Sequence, residues 1–298
     1  MMNCKILFLL FCCLVCFQGI KAEDDEDFYK GSSQYGKSMA LFGGSFTVHE
    51  ESNFAKNYWC EKLNLRLSNY GSRGAGFSNM TKSPTIQEQV DSACTEESPI
   101  YDIYLFWAST NDFHIVDSLA GQLNDYTEKD NYDAHNLRTQ CGGINYCFKK
   151  VYEKNPQALI LFFTSIGYFP EVGKGTNPDY AGENGMNHFV EKQKAVCKNW
   201  TIPFLDQFDK IINENNWQKY MKADNLHLNE NGYIAIREAQ AKFIAYPYSD
   251  ITRIPSLINN FNRKENNQSF QLSGIVWGGQ FNKSEVIIKD GRKIIMKK

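Results

Sequence analysis

The chain has 298 residues, of which 42% are hydrophobic and 22% charged, and a formal net charge of −2. That length suits one large α/β domain with a small appendage. The near-neutral charge, with no basic run and no interleaving of basic and aromatic residues, argues against a nucleic-acid or anionic-membrane surface.

The first residues, "MMNCKILFLLFCCLVCFQGIKAEDDEDF", read as an export signal over 1–22. Lys5 supplies the positive start, Ile6 to Phe17 the apolar stretch, and "IKA" a cleavage site ahead of an acidic, flexible lead-in at 23–36. The apolar run is shorter than the ~20 residues of a spanning helix. No other stretch fits a transmembrane segment. The mature chain is therefore expected to be exported, to the periplasm, the cell surface or beyond. Cys12, Cys13 and Cys16 fall within the signal. Cys60, Cys94, Cys141, Cys147 and Cys197 remain, an odd set without metal-ligand spacing. Export permits a disulfide, with Cys141 and Cys147 the nearest pair; buried free thiols are the alternative.

From Lys37 onward, strands alternate with amphipathic helices. "KSMALFGG" predicts a strand ending in glycines, "ESNFAKNYWCEKLN" a helix, "LRLSNYG" a second strand and "TIQEQVDSAC" a helix. "IYDIYLFWAS" is nearly all apolar, as a strand buried on both faces should be. A helix follows over Asn136 to Lys154, with Gly142-Gly143 as its expected interruption. "ALILFFTS" is the fourth strand, "NHFVEKQKAVCKNW" a helix, "TIPFLD" the fifth strand and "ENGYIAIREAQAKFIA" the closing helix. This alternation predicts an α/β domain over 37–247 with a five-stranded parallel sheet between helices. In such sheets the working site lies beyond the carboxyl ends of the strands.

Past a polar linker at 248–269, residues 270–298 alternate β-branched and polar residues, and Asp290-Gly291 is a hairpin signal. This predicts a small β module of two or three strands. It is similar to the C-terminal tails that type IX secretion systems recognise, above all in "IIKDGRKIIMK", although Glu285 stands where such tails carry glycine. That similarity implies the secretion machinery as a partner.

Four stretches carry chemistry. "LFGGSFT" ends a strand in two glycines and presents Ser45. "NYGSRGAGF" places Gly71 after the second strand; its glycines run G-x-x-G-x-G rather than G-x-G-x-x-G, and no acidic ribose partner follows, so it is no dinucleotide loop. "WASTND" closes the third strand with Asn111 and Asp112, and "DNLHLNENGY" sets Asp224 and His227 three residues apart. Each one alone reads as a turn. A serine hydroxyl, however, becomes a nucleophile when a base lies within hydrogen-bond reach, and loops from separate strand ends converge only above a sheet.

In order and spacing the four stretches resemble the blocks of the SGNH (GDSL-type) hydrolase superfamily. The Gly-Asp-Ser block is matched by Gly43-Gly44-Ser45, with the acid replaced by glycine. The Asn-x-Gly-x-x-Gly block is matched in full by Asn69, Gly71 and Gly74. The Gly-x-Asn-Asp block is matched by Asn111 and Asp112, with Ser109 in the glycine's place. "DNLHLNENGY" fits the Asp-x-x-His block. The resemblance implies a three-layer, flavodoxin-like fold. It also implies Ser45 as nucleophile, His227 as base, Asp224 as the acid that fixes the His227 tautomer, and an oxyanion site of the Ser45 and Gly71 amides with the Asn111 side chain. Asn229 would cap the last helix.

The expected activity is a serine esterase acting on O-acyl esters, with acetyl groups on carbohydrates or simple lipid and aryl esters as substrate, and without cofactor or metal. The competing expectations are an impaired carbohydrate-binding protein on the same fold and an acyltransferase using the same residues. His49 follows the first block closely and can line the site, but reads first as a loop residue; His114, His135 and His188 read as surface or packing residues, and Trp59, Trp107 and Trp277 as core. Asp206, at the end of the fifth strand, is the rival acid for His227.

Overall fold

The computed structural model describes residues 25–114, 120–127, 134–167 and 185–248, with strand segments at 270–271, 284–289 and 292–297. The export signal at 1–22, Trp277 and nearly all of the 248–269 linker lie outside the described residues. Two compact units divide at Ile254 and Pro255. The larger runs α1 (Asp25–Lys30), β1 (Ser38–Gly43), α2 (Ser45–Val48), α3 (Asn53–Leu63), β2 (Arg66–Asn69), α4 (Ile86–Ala93), β3 (Ile103–Trp107), α5 (Asn111–His114), α6 (Gln140–Lys154), β4 (Leu159–Phe163), α7 (Met186–Asn199), β5 (Phe204–Leu205) and α8 (Glu230–Ala245).

The sheet is parallel throughout, in the order β2-β1-β3-β4-β5. Successive side chains along a strand point to opposite faces, so each central strand feeds two cores. Met39, Leu41, Ile103, Leu105, Trp107, Leu161 and Phe163 share one core with Trp59 of α3 and Phe243 of α8. Ala40, Phe42, Tyr104, Phe106, Ile160 and Phe162 share the other with Val90 of α4, Phe148 of α6 and Val196 of α7. The result is the α/β/α three-layer architecture expected from the strand-helix alternation. Trp59 and Trp107 are fully buried. Full burial of a side chain of this kind stabilises by about 1.5–3 kcal/mol.

The helices begin where the local chemistry supplies acceptors for their free N–H groups. Thr85 and Glu88 form a reciprocal capping box at α4, Thr139 Oγ1 accepts from Gly142 N at α6, and Asn229 Oδ1 accepts from Gly232 N at α8. The expected interruption at Gly142-Gly143 does not occur; α6 runs through both. A Cβ on Gly142 would lie 1.9 Å from the Asn136 carbonyl oxygen and one on Gly143 2.0 Å from that of Phe77. The glycines admit close backbone contact, which outweighs their low helix propensity.

One further expectation changes, and one open alternative is decided. The acidic lead-in is ordered from Asp25: α1 buries Tyr29, and Ser32 Oγ donates to the Ala245 carbonyl at 2.7 Å. All five described cysteines are free. Cys141 and Cys147 lie on one continuous helix, where six residues separate them by about 9 Å along the axis, beyond disulfide reach.

The smaller unit contains an antiparallel sheet of β6 (Phe270–Gln271), β7 (Ser284–Lys289) and β8 (Arg292–Lys297), with Lys289 opposite Arg292 across the hairpin. Among the described residues no helix is long and apolar enough to cross a membrane.

Candidate active site

Four loops meet beyond the carboxyl ends of β1, β2 and β3 and ahead of α8. The first carries Ser45, the opening residue of α2, buried to 8% exposure. Among the described residues no acceptor lies within hydrogen-bond range of its backbone N–H.

The second loop continues from β2 along β1, through Tyr70 N to Leu41 O and Ser72 N to Gly43 O. Between them sits Gly71, where a Cβ would lie 1.9 Å from Thr47 Oγ1. Only glycine lets this loop touch the turn that holds Ser45. Asn69 bridges the same two loops: its Nδ2 donates to Thr47 O at 2.7 Å and its Oδ1 accepts from Gly71 N at 3.1 Å.

The third loop follows β3. Asn111 Nδ2 donates to the Ala75 carbonyl at 2.8 Å and to Ser109 Oγ at 3.1 Å. Asp112 is fully enclosed and accepts from Phe77 N and Ser78 N at 2.9 and 2.7 Å. Burial pushes its carboxyl up to about 6, against the opposing pull of those two N–H groups.

The fourth loop answers why an acid and a histidine stand three residues apart. Asp224 Oδ1 accepts the backbone N–H groups of Leu226 and His227 at 3.0 and 2.9 Å, and its Oδ2 meets His227 Nδ1 at 2.8 Å. Asn225 takes a left-handed conformation, φ 58°, to close the turn. One carboxylate thus shapes the loop and orients the ring. Burial raises the Asp224 carboxyl, but the His227 amide, the His227 ring and the Leu226 amide outweigh it and bring it down to about 2. An ionised carboxylate is acceptor only, so Nδ1 carries the ring proton and Nε2 presents its lone pair. That nitrogen lies 2.9 Å from Ser45 Oγ.

Ser45, His227 and Asp224 are therefore joined in one hydrogen-bonded line. Gly71 and Asn111 flank it, with their N–H groups held by Asn69, Ala75 and Ser109. Asp206 is elsewhere: it pairs with Lys194 at 3.3 Å, and Asp224 alone reaches His227. The rim holds His49, which follows the first block closely enough to line the site, and an ion pair between two of the loops. The His49 ring lies 4.3 Å from that of His227, centroid to centroid. Its position four residues after Ser45, one helical turn, was the available signal. Burial, and the charges of His227, Lys222 and Arg73, hold His49 below its ordinary pKa. Glu51 Oε1 and Lys222 Nζ form a 2.7 Å ion pair tying the first loop to the fourth; no local pattern announces it. Among the described residues no group of three His, Cys, Asp or Glu side chains is placed to hold a metal ion.

The model of the GDSL-like lipase/acylhydrolase family matches residues 41–235, from the end of β1 through all four loops to the start of α8. The chain belongs to the GDSL-like lipase/acylhydrolase (SGNH hydrolase) family. Among solved structures, a protein from Lactobacillus plantarum superposes with a TM-score of 0.53 at 15% identity, covering 70% of this chain and 96% of its own. A possible lipase from Chitinophaga pinensis gives 0.48 at 17% identity over 69% and 96%, and a lipase/acylhydrolase from Enterococcus faecalis 0.44 at 16% over 70% and 95%. At 15% identity the likeness to the Lactobacillus plantarum protein concerns the fold alone. No curated protein matches the chain.

Proposed function

We propose that this SGNH-family chain is an exported serine esterase that cleaves O-acyl esters through an acyl-enzyme on Ser45. The observation that carries the reading is the line from Ser45 Oγ to His227 Nε2 to Asp224, at 2.9 and 2.8 Å. His227 Nε2 takes the Ser45 hydroxyl proton as Oγ bonds to the ester carbonyl carbon. The electron pair of the carbonyl moves onto its oxygen, and Asp224 stabilises the imidazolium that forms. Collapse of the tetrahedral intermediate expels the alcohol, which receives the proton from His227. A water then repeats the sequence on the acyl-enzyme, releasing the acid and restoring Ser45.

The oxyanion would be met by the free Ser45 N–H, by Gly71 N–H exchanging its long bond to Asn69, and by an Asn111 N–H. Each such donor is worth about 10²–10³ in rate. Acetyl esters of carbohydrates are the proposed substrates. Export rests on the apolar segment at 1–22, and the β module at 270–298 is proposed as its sorting element. Ser45→Ala should fold as the wild type does and lose essentially all hydrolysis of acetylated oligosaccharides and short aryl esters. Labelling by a fluorophosphonate should be confined to Ser45; a folded wild-type chain that resists the reagent would overturn the esterase reading.

A further inference from the structure

We infer that Ser109 is a positioning residue for Asn111, and that residue 44 is glycine because Ser109 and the two groups it holds, the Ala75 carbonyl and the Asn111 amide, fill the space its side chain would need. The inference rests on the esterase reading above. It concerns the two positions where the chain departs from the Gly-Asp-Ser and Gly-x-Asn-Asp blocks of its family.

Those departures touch each other. A Cβ on Gly44 would lie 2.7 Å from Ser109 Cβ, 2.8 Å from the Ala75 carbonyl oxygen and 2.9 Å from Asn111 Nδ2. The φ of Gly44 is −89°, which other residues adopt, so crowding and not backbone conformation selects glycine. Where the family pattern puts a polar side chain on the first loop and none on the third, this chain does the reverse. The two changes form one exchange.

The transplanted hydroxyl is fully used. Ser109 Oγ donates its proton to the Ala75 carbonyl at 2.7 Å and accepts from Asn111 N at 3.2 Å and Asn111 Nδ2 at 3.1 Å. A hydroxyl offers one donor and two lone pairs, and all three are engaged. The Ala75 carbonyl also takes the other Nδ2 proton at 2.8 Å. Since a carbonyl only accepts, the orientation of the Asn111 amide is decided by chemistry. Of its two bonds, the one to Ser109 is the longer and the one that can be exchanged. When a substrate carbonyl arrives, that N–H turns to the developing oxyanion, while Ser109 Oγ keeps the Asn111 backbone N–H. Ser109 parks the donor in the resting site and holds its loop in place during turnover. The loop backbone has its own support, Ser165 Oγ donating to the Ser109 carbonyl at 2.7 Å, so loss of the hydroxyl should leave the fold intact.

The test measures kcat and KM on an aryl acetate, the fluorophosphonate labelling rate and thermal unfolding for Ser109→Ala, Gly44→Asp and Gly44→Asp/Ser109→Gly. Ser109→Ala should lower kcat and the labelling rate roughly 10- to 100-fold, as small misplacements of reacting groups do, with KM within about twofold of wild type. Gly44→Asp alone should be less active than the double variant, because loss of the Ser109 side chain removes the nearest of the three crowding atoms and leaves the Ala75 carbonyl and the Asn111 amide free to shift. Wild-type kcat in folded Ser109→Ala, or a double variant no better than Gly44→Asp, overturns the inference. If Ser109→Ala does not fold, Ser109→Gly carries the same measurement; failure of both to fold also overturns it, since the hydroxyl then serves stability. A wild-type chain that takes no label overturns the esterase reading itself and the inference with it.

Discussion

Lys56 Nζ donates to the carbonyl oxygen of Thr47 at 2.7 Å, at the end of the turn that begins with Ser45. The same oxygen accepts from Asn69 Nδ2, so a buried cation and the second-loop asparagine pin the turn together. Lys56 is 8% exposed, and no carboxylate among the described residues forms an ion pair with it. Burial holds its ammonium below the ordinary lysine range. A desolvated charge without a counter-ion costs stability.

Lys56→Met should therefore leave the chain more stable at neutral pH while lowering turnover. Because the folded-state pKa is depressed, the unfolded chain binds more protons in the window below the ordinary lysine value of 10.5. Wild-type stability then rises with pH through this window. Urea unfolding at several pH values should show the advantage of the variant shrinking as pH climbs toward that range.

Asp224→Asn tests the tautomer. An amide nitrogen facing Nδ1 would favour the ring form with its proton on Nε2, which cannot take the Ser45 proton. A fall in kcat of about 10⁴ is expected with the fold retained. The depressed Asp224 carboxyl also stabilises the fold. That contribution is complete above the ordinary value of 3.8 and fades as pH falls toward about 2. Acid unfolding of variant and wild type should converge at the low end of that range.

Asn111→Ala removes a donor that matters most when negative charge develops. We expect kcat to fall about 10²–10³ with little change in KM. Steady-state kinetics on an aryl ester decide it; equal activity would remove Asn111 from the oxyanion site.

His49 adds a second titrating ring beside His227. Its depressed pKa keeps it neutral at pH 7. A charge gained by His49 at acid pH would stand beside the His227 ring, alongside Lys222 and Arg73 and against Glu51. His49→Phe removes it, so kcat/KM should fall less on the acid side in the variant than in wild type. Identical acid limbs in both would rule out this coupling.

Much of this molecule is legible along the chain because its signals are local. The apolar runs of β1, β3 and β4 report burial on both faces, and the alternation of strand and helix implies parallel pairing. Asp224 and His227 lie on one turn, so their contact follows from a three-residue spacing. Gly142-Gly143 misled because glycine means either a break or a close approach, and only the neighbouring carbonyls of Asn136 and Phe77 distinguish the two. The cysteines stayed open between a disulfide and free thiols until one helix was seen to hold Cys141 and Cys147.

The order of elements, the sheet and the four chemical blocks follow from residue types and spacing, since hydrophobic periodicity and short-range hydrogen bonding act over a few residues. The meeting of Ser45 with His227 was implied by the family resemblance and not by local spacing; the exchange between Gly44 and Ser109, the cation under Thr47 and the Glu51–Lys222 tie were not legible at all. Apart from Lys56 and Thr47, these contacts join separate loops, and it is the register of the open parallel sheet, not local sequence, that sets their separations.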